Sequence, residues 1–422
     1  MRLNGRFWAG CMALALSGAA AAQLLPPVGP ALGQAVGGVT AGIDRIGESL
    51  EDTAGRADDM VARLARDRLG RIDALVRQNP QALEYDGRGN AAVKGELILL
   101  DPSQAALDAA TAAGFAVEGR DMLDGLGIET ARLRAPAGIG LPRAEKLLRR
   151  LAPTATVQSN PIYRPSGAPS AGGQSGRAVT TSGPGAAIGM IDGGVADHAA
   201  LPAGIVQRGF AAGAPAPGDH GTAIASILVG RGAVRGVSPE SRLLVADVFG
   251  RDPRGGNALA IARALGWLAQ SGARVVNISL AGPDNPLLAR AVATADKRGL
   301  LMVAAVGNDG LAAPPAFPAS YPEVIAVTGV DAKGRPLIEA GKAAHLDFAA
   351  PGADLLAARA GGGTGRMRGT SFAAPFVTAR IARLAGKAPL ARMRALDLLA
   401  GEATPAKGRA GRGIVCGTCA TR

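Results

Sequence analysis

One aspartate, one histidine and one serine stand out along the 422-residue chain, each where a regular element should begin or end. Asp192 directly follows the apolar run Ala187-Ile188-Gly189-Met190-Ile191, where a solvated loop should start. His220 precedes Gly221-Thr222 and opens an apolar helix. Ser371 sits in Gly369-Thr370-Ser371-Phe372-Ala373-Ala374-Pro375, again at a helix start. A hydroxyl is a weak nucleophile at neutral pH; it needs an adjacent base, and the base needs a third group to orient it. At a helix start, free backbone N–H groups and the positive end of the helix dipole favour a developing oxyanion. Asn308, in Ala304-Ala305-Val306-Gly307-Asn308-Asp309-Gly310, ends another strand and offers a second donor. Taken singly, an Asp in a loop, an Asn before Asp-Gly and a Ser opening a helix are ordinary caps and turn residues. The chemistry lies in their combination.

The elements that must position these groups are legible from the hydrophobic pattern. Beyond residue 185, apolar runs at 186–191, 242–249, 274–280, 300–306 and 324–330 predict strands, with helices at 222–229, 257–270 and 286–298 between them. Near-continuous apolar strands alternating with helices predict an α/β fold, a doubly wound, mostly parallel sheet with helices on both faces. Working groups in such sheets gather at the carboxyl ends of the strands. Residues 94–164 read as β-α-β-β-α-β, a small α+β ferredoxin-like domain. It holds no His and no Cys, so the expected role is binding or folding assistance rather than chemistry. Within an N-terminal region spanning 23–93, residues 43–79 carry Ile46, Leu50, Met60, Leu64, Leu69, Ile72 and Leu75 at helical spacing, ended by Asn79-Pro80. Residues 165–184, rich in Gly, Ser, Pro and Ala, read as a linker to a larger domain over 185–415.

Composition excludes several classes. Glycine is abundant, at 61 residues, but without a Gly-X-Y period, which excludes collagen. The net charge of +12 falls almost wholly after residue 164, yet only 3% of residues are aromatic and no recognition motif for nucleic acid is present. Three His and three Cys rule out a Cys/His metal framework. At the N-terminus, Arg2 and Arg6 precede the apolar run 7–16 and an Ala20-x-Ala22 cleavage motif, so residues 1–22 read as an export signal. That run is too short to span a bilayer, which needs about 20 apolar residues. The expectation is a secreted or periplasmic chain. After signal removal Cys416 and Cys419 remain, in a 416–422 tail, and oxidising surroundings favour a short-loop disulfide. A thioredoxin-like role would place the pair at a helix start inside a βαβ unit, and zinc would need two further ligands.

With these strings in hand, residues 185–415 resemble the subtilisin-like serine proteases, or subtilases. The resemblance rests on Ile191-Asp192-Gly193-Gly194, His220-Gly221-Thr222-Ala223-Ile224-Ala225, the Asn308 segment and Gly369 to Pro375, in that order. It implies a catalytic triad of Asp192, His220 and Ser371 with Asn308 as oxyanion donor, leaving His198 and His345 as structural residues. It further implies that Ser279, Leu280, Ala281 and Gly282, with Ala305 and Gly307, line a substrate channel to which an extended polypeptide adds as a strand. Residues 94–164 are similar to the family's N-terminal propeptide, which assists folding and inhibits until cut; Val157 to Arg164 would then lie as a product-like strand in the cleft. The implied protein is an exported serine endopeptidase, made as an autoprocessed preproprotein and cut between Tyr163 and Gly185, its own prodomain acting as intramolecular inhibitor. No cofactor and no metal ligand are implied, and the calcium site common in the family has no carboxylate cluster to support it here. One departure is Gly193, where the family usually carries Ser or Thr. The rival from another class is a subtilisin-fold binding or regulatory module without activity. An α/β-hydrolase is excluded, since it requires a Gly-x-Ser-x-Gly elbow and the order Ser, Asp, His.

Overall fold

The computed structural model describes residues 59, 60, 62–170, 185–386, 388–417 and 419; the expected export signal, residues 23–58 and most of the linker lie outside them. Residues 62–78 form helix α1, closed where the Asn79 side-chain amide donates to the Leu75 carbonyl. Ile72, Leu75 and Val76 pack with Leu83 and Ala91. There follow β1 (Leu83–Tyr85), β2 (Ala91–Leu100), α2 (Gln104–Ala112), β3 (Ala116–Leu123), β4 (Ile128–Arg134), α3 (Leu141–Leu151) and β5 (Thr156–Pro161). Helix α2 starts where it should, because the Ser103 hydroxyl accepts from the Ala106 N–H. The antiparallel sheet runs β5-β2-β4-β3, with β1 on the first part of β2.

Strand β2 is buried on both sides, and its alternation explains why. Leu97 and Leu99 face α2 and α3 with Leu107, Leu141 and Leu148. Ile98 and Leu100 face the other way, into a core shared with Leu265 and Leu268 of the larger body. The small sheet is therefore apolar on its outer face because it docks there. Two of its side chains cap helices of that body: Asn160 Oδ1 accepts from the Leu259 N–H and Gln158 Oε1 from the Leu287 N–H, each at 3.0–3.1 Å. These N–H groups belong to first turns, where no intrahelical partner exists.

Past β5 the chain runs extended as β6 (Arg164–Pro165) and β7 (Ala168–Ser170) before the large parallel sheet. That sheet is built from β8 (Ile188–Asp192), β9 (Val206–Gly209), β10 (Leu243–Asp247), β11 (Val275–Ile278), β13 (Leu301–Ala305), β14 (Val324–Val330) and β15 (Phe348–Pro351), with the short β12 (Leu280–Ala281) lying outside it. The order is β15-β14-β13-β11-β8-β10-β9, every pairing parallel. Helices α4 (Asp219–Val229) and α7 (Ala374–Ala385) cover one face with Ile188, Met190 and Val303. Helices α5 (Ala258–Gln270) and α6 (Pro286–Lys297) cover the other with Val276, Met302 and Ala304. The fold is thus doubly wound α/β.

The edge strands β9 and β15 lie outside the long apolar runs. Val-Gln-Arg-Gly of β9 is polar in part and half exposed, and Phe-Ala-Ala-Pro of β15 is apolar and buried but only four residues long. A hairpin, β16 (Leu355–Ala358) and β17 (Thr364–Arg368), and a last helix α8 (Arg392–Glu402) complete the chain. Cys416 and Cys419 form a disulfide, packed on the core that holds α7. Among the described residues, no helix is long and apolar enough to cross a membrane, and no three His, Cys, Asp or Glu side chains converge as a metal would require.

Candidate active site

The sheet switches direction beside β8: the chain builds β10 and β9 on one side, then crosses to β11 on the other. At that crevice the carboxyl ends of β8, β11 and β13 carry Asp192, Ser279 and Asn308. Asp192 is fully buried. Its Oδ1 accepts from the Gly193 N–H at 2.7 Å and from His220 Nδ1 at 2.8 Å. Because an ionised carboxylate only accepts, the proton sits on Nδ1 and leaves Nε2 free to take one. His220 Nε2 is buried and meets no protein partner. Gly221 keeps His220 close to β8: a Cβ there would lie 2.4 Å from the Gly193 carbonyl oxygen. Asp192 Oδ2 is also buried without a protein donor, beside Gly193, where the resemblance implies Ser or Thr.

Ser371 lies, fully buried, on a 3-10 turn over Thr370–Phe372 that leads into α7. A polar lattice fixes this turn. Ser279 Oγ donates to the Ser371 carbonyl at 2.8 Å, Asn277 Nδ2 donates to Ser279 Oγ at 2.8 Å, and Thr378 Oγ1 donates to Asn277 Oδ1 at 3.2 Å. The Thr370 N–H donates to Asn308 Oδ1 at 3.0 Å, and Thr370 Oγ1 to the Gly307 carbonyl at 3.1 Å. Ser371 Oγ itself donates to the Ser279 carbonyl at 3.0 Å rather than to His220.

The cleft is filled by the chain's own backbone. The Ser166 carbonyl oxygen accepts two hydrogen bonds, from the Ser371 N–H at 3.0 Å and from Asn308 Nδ2 at 2.5 Å. On one side β6 pairs antiparallel with β12, Pro165 opposite Leu280 and Arg164 opposite Ala281, and the Ser166 N–H donates to the Ser279 carbonyl. On the other side β7 pairs with β17. Gly369, at φ 139°, closes the floor: a Cβ there would lie 2.6 Å from Asn308 Nδ2 and 2.8 Å from the Ser166 carbonyl oxygen. The strand expected in the cleft, Val157 to Arg164, is therefore corrected. Residues up to Pro161 belong to β5 of the small sheet, and the cleft segment begins at Tyr163 and continues past Ser166.

Tyr163 is fully buried, its N–H donating to the Gly256 carbonyl and its hydroxyl to the Pro283 carbonyl at 2.6 Å. Its ring occupies the space a Cβ on Gly282 would need, 2.4 Å away. Gly307, at φ 83°, lies against Ala281 and Ala316. Ala305 is instead fully buried in the core with α4 and α7. His198 and His345 anchor loops through the Gly363 and Val324 carbonyls. Sequence reasoning misses Asn277, Thr370 and Thr378, which look like core and cap residues, and Ser166, whose Arg-Pro-Ser-Gly context reads as linker. It also misses that α1 reaches the loop of Asn308, where Arg68 and Arg71 pair with Asp309 and Leu64 covers Gly310.

Burial pushes the Tyr163 hydroxyl well above the ordinary phenol range, reinforced by Tyr321 and Asp284 nearby. A value raised in the seated state means that seating is fully favoured below the free phenol value, about 10, and weakens as pH rises beyond it. The expected outcome is a cleft segment that stays seated from neutral pH to about 10 and loosens above it. Phenolate absorbance of wild type minus Tyr163→Phe should show one tyrosine ionising well above 10; a difference titrating at the ordinary value would contradict the seating.

A model of the subtilase family matches residues 183–404. Subtilisin BL of Lederbergia lenta is 33% identical over 217 residues, covering 49% of this chain and 79% of that protein. The major intracellular serine protease of Bacillus subtilis is 35% identical over 172 residues, 39% of this chain and 54% of its own length. Among solved structures, the protease domain of PatA superposes with a TM-score of 0.51 at 30% identity, over 56% of this chain and 95% of that one. Fervidolysin from Fervidobacterium pennivorans, a keratinolytic enzyme related to subtilisin, shares the fold with a TM-score of 0.64 at 20% identity, over 77% of this chain and 60% of that one.

Proposed function

The chain belongs to the subtilase family of serine-type endopeptidases, and from that premise we propose that it is an exported peptidase that cuts its own precursor at the Ser166–Gly167 bond. The observation that carries the reading is the Ser166 carbonyl oxygen, held by the Ser371 N–H and the Asn308 amide. This is the arrangement an oxyanion hole offers to the bond about to be attacked.

In this reading Asp192, His220 and Ser371 are the triad. Ser371 Oγ, turned from the Ser279 carbonyl to His220 Nε2, attacks the Ser166 carbonyl carbon as His220 takes its proton. Asp192, hydrogen-bonded to Nδ1, holds the ring and stabilises the imidazolium. The negative charge that forms on the Ser166 oxygen is met by the Ser371 N–H and Asn308. His220 then returns the proton to the Gly167 nitrogen as the bond breaks, and water hydrolyses the acyl-enzyme by the same route. Other polypeptides enter later by the same backbone pairing with β12, with Ser279, Leu280, Ala281 and Gly282 beside them and Gly307 behind.

Residues 1–22 are the export signal, and the small domain over 94–164 is the inhibitory prodomain. Its support is the β5-β2-β4-β3 order, the capping of α5 and α6 by Asn160 and Gln158, and a likeness of fold to fervidolysin over a larger share of the chain than the family match alone. After the cut, the Tyr163–Ser166 strand stays as a product in the cleft until the prodomain leaves. The test is a fluorophosphonate probe applied to the processed protein and mapped by peptide mass. Labelling of Ser371 that is lost on Asp192→Asn supports the reading. An unlabelled chain that hydrolyses nothing is instead an inactive binding or regulatory module.

A further inference from the structure

The residue after the cleft carbonyl is a glycine, and the side chain that meets it follows the nucleophile in sequence. A Cβ on Gly167 would lie 2.5 Å from Phe372 Cε2, 3.0 Å from Cδ2 and 3.2 Å from Cζ. Contacts under 3.0 Å are repulsive, so either the ring or the substrate must move. The ring has little room to do so. Phe372 is almost fully buried, packs in the core with α4 and α7, and lies against His220 with ring centroids 5.2 Å apart at 50°. Its backbone is pinned through the Phe372 N–H to the Gly369 carbonyl within the turn that also carries Ser371. Gly167 is not in the left-handed region of backbone space, so any residue could adopt its conformation. Space alone requires the glycine.

From this geometry we infer that Phe372 makes the enzyme selective for glycine on the leaving-group side of the scissile bond. The inference rests on the proposed peptidase reading and adds its substrate class: polypeptides with glycine immediately after the cut. The ring touches the leaving residue and also flanks the imidazole that must protonate the leaving nitrogen. A β-carbon there would displace the ring toward His220 or lift the carbonyl away from Asn308. The penalty therefore falls on reaction as well as on binding. A single misfitted methyl group in a closed apolar site typically costs roughly ten- to two-hundredfold in discrimination.

The test uses the processed full-length protein and quenched-fluorescent peptides Tyr-Arg-Pro-Ser-Xaa-Ala-Pro with Xaa Gly, Ala or Val. Wild type should cleave the Gly peptide with kcat/KM at least tenfold above Ala and further above Val. Phe372→Ala should bring the three within about threefold of one another, mainly by raising Ala and Val. Should Phe372→Ala not fold, Gly167→Ala in the precursor reads the same contact with the native ring in place. Its self-cleavage should slow at least tenfold, and Phe372→Met should restore it. Equal cleavage of Gly and Ala peptides by wild type, or a Gly167→Ala precursor that processes at the wild-type rate, overturns the selectivity while leaving the peptidase intact. Cleavage of none of the peptides, with no serine labelled by fluorophosphonate, overturns the peptidase reading and the selectivity with it.

Discussion

Ser371→Ala is expected to lower turnover of an added peptide by about 10⁶ and to leave the chain as its precursor. That magnitude is the one known for the nucleophile of subtilisin, a member of the same family. The remaining activity would come from the Asn308 amide and the backbone N–H of residue 371, which the substitution leaves in place. Stability should change little. Ser371 Oγ makes one hydrogen bond, to the Ser279 carbonyl, and a single bond of this kind is worth about 1 kcal/mol net. Because the uncut chain keeps its own segment paired with β12 and the Ser279 carbonyl, access to the cleft falls together with kcat. The loss of turnover should therefore be no smaller than about 10⁶. A loss below about a hundredfold, in protein shown by thermal melting to be folded, would mean that another group attacks the bond.

Asn308→Ala should cost about 10²–10³ in kcat, again the size known for such a donor in subtilisin. The residue works at both ends. Its amide Nδ2 donates to the Ser166 carbonyl and its Oδ1 accepts from the Thr370 N–H. Removing it takes a donor from the forming oxyanion and also leaves a buried N–H unpaired, which costs on the order of 1–3 kcal/mol of stability. Asn308→Asp separates the two effects. It keeps the acceptor for Thr370 but sets a negative charge against the oxyanion, so stability should recover while kcat falls at least as far as with Ala. Steady-state kinetics and melting curves on both variants decide it. Equal kcat for wild type and Asn308→Asp would remove Asn308 from the chemistry.

Much of this arrangement is legible in the amino-acid sequence. Strands β8, β10, β11, β13 and β14 are buried on both faces, so near-continuous apolar runs reveal them. Asp192, His220 and Ser371 are visible because each interrupts an apolar element with the residue type that acyl transfer requires. Gly221 and Gly369 explain why their strings read as they do: Cβ atoms there would strike the Gly193 carbonyl and the Asn308 amide. Less legible are elements defined by what they pair with. Residues Arg164–Pro165 and Ala168–Ser170 carry no strand pattern, because β12 and β17 recruit them through backbone hydrogen bonds alone. The frame of the cleft segment is misread for a related reason. Strand β5, Thr-Val-Gln-Ser-Asn-Pro, runs on into Ile162 and Tyr163 with no change of pattern to mark where one sheet ends and the cleft begins. Asn277 and Thr378 are silent since a buried polar lattice leaves no periodic trace.

The measurement that tests the account most directly is a time course of intact mass with N-terminal sequencing on purified, signal-free chain. Wild type should yield a new N-terminus at Gly167, at a rate independent of protein concentration, and Ser371→Ala should remain whole. A first cut at any other bond, or the same cut in Ser371→Ala, would contradict self-cleavage at Ser166–Gly167 by Ser371.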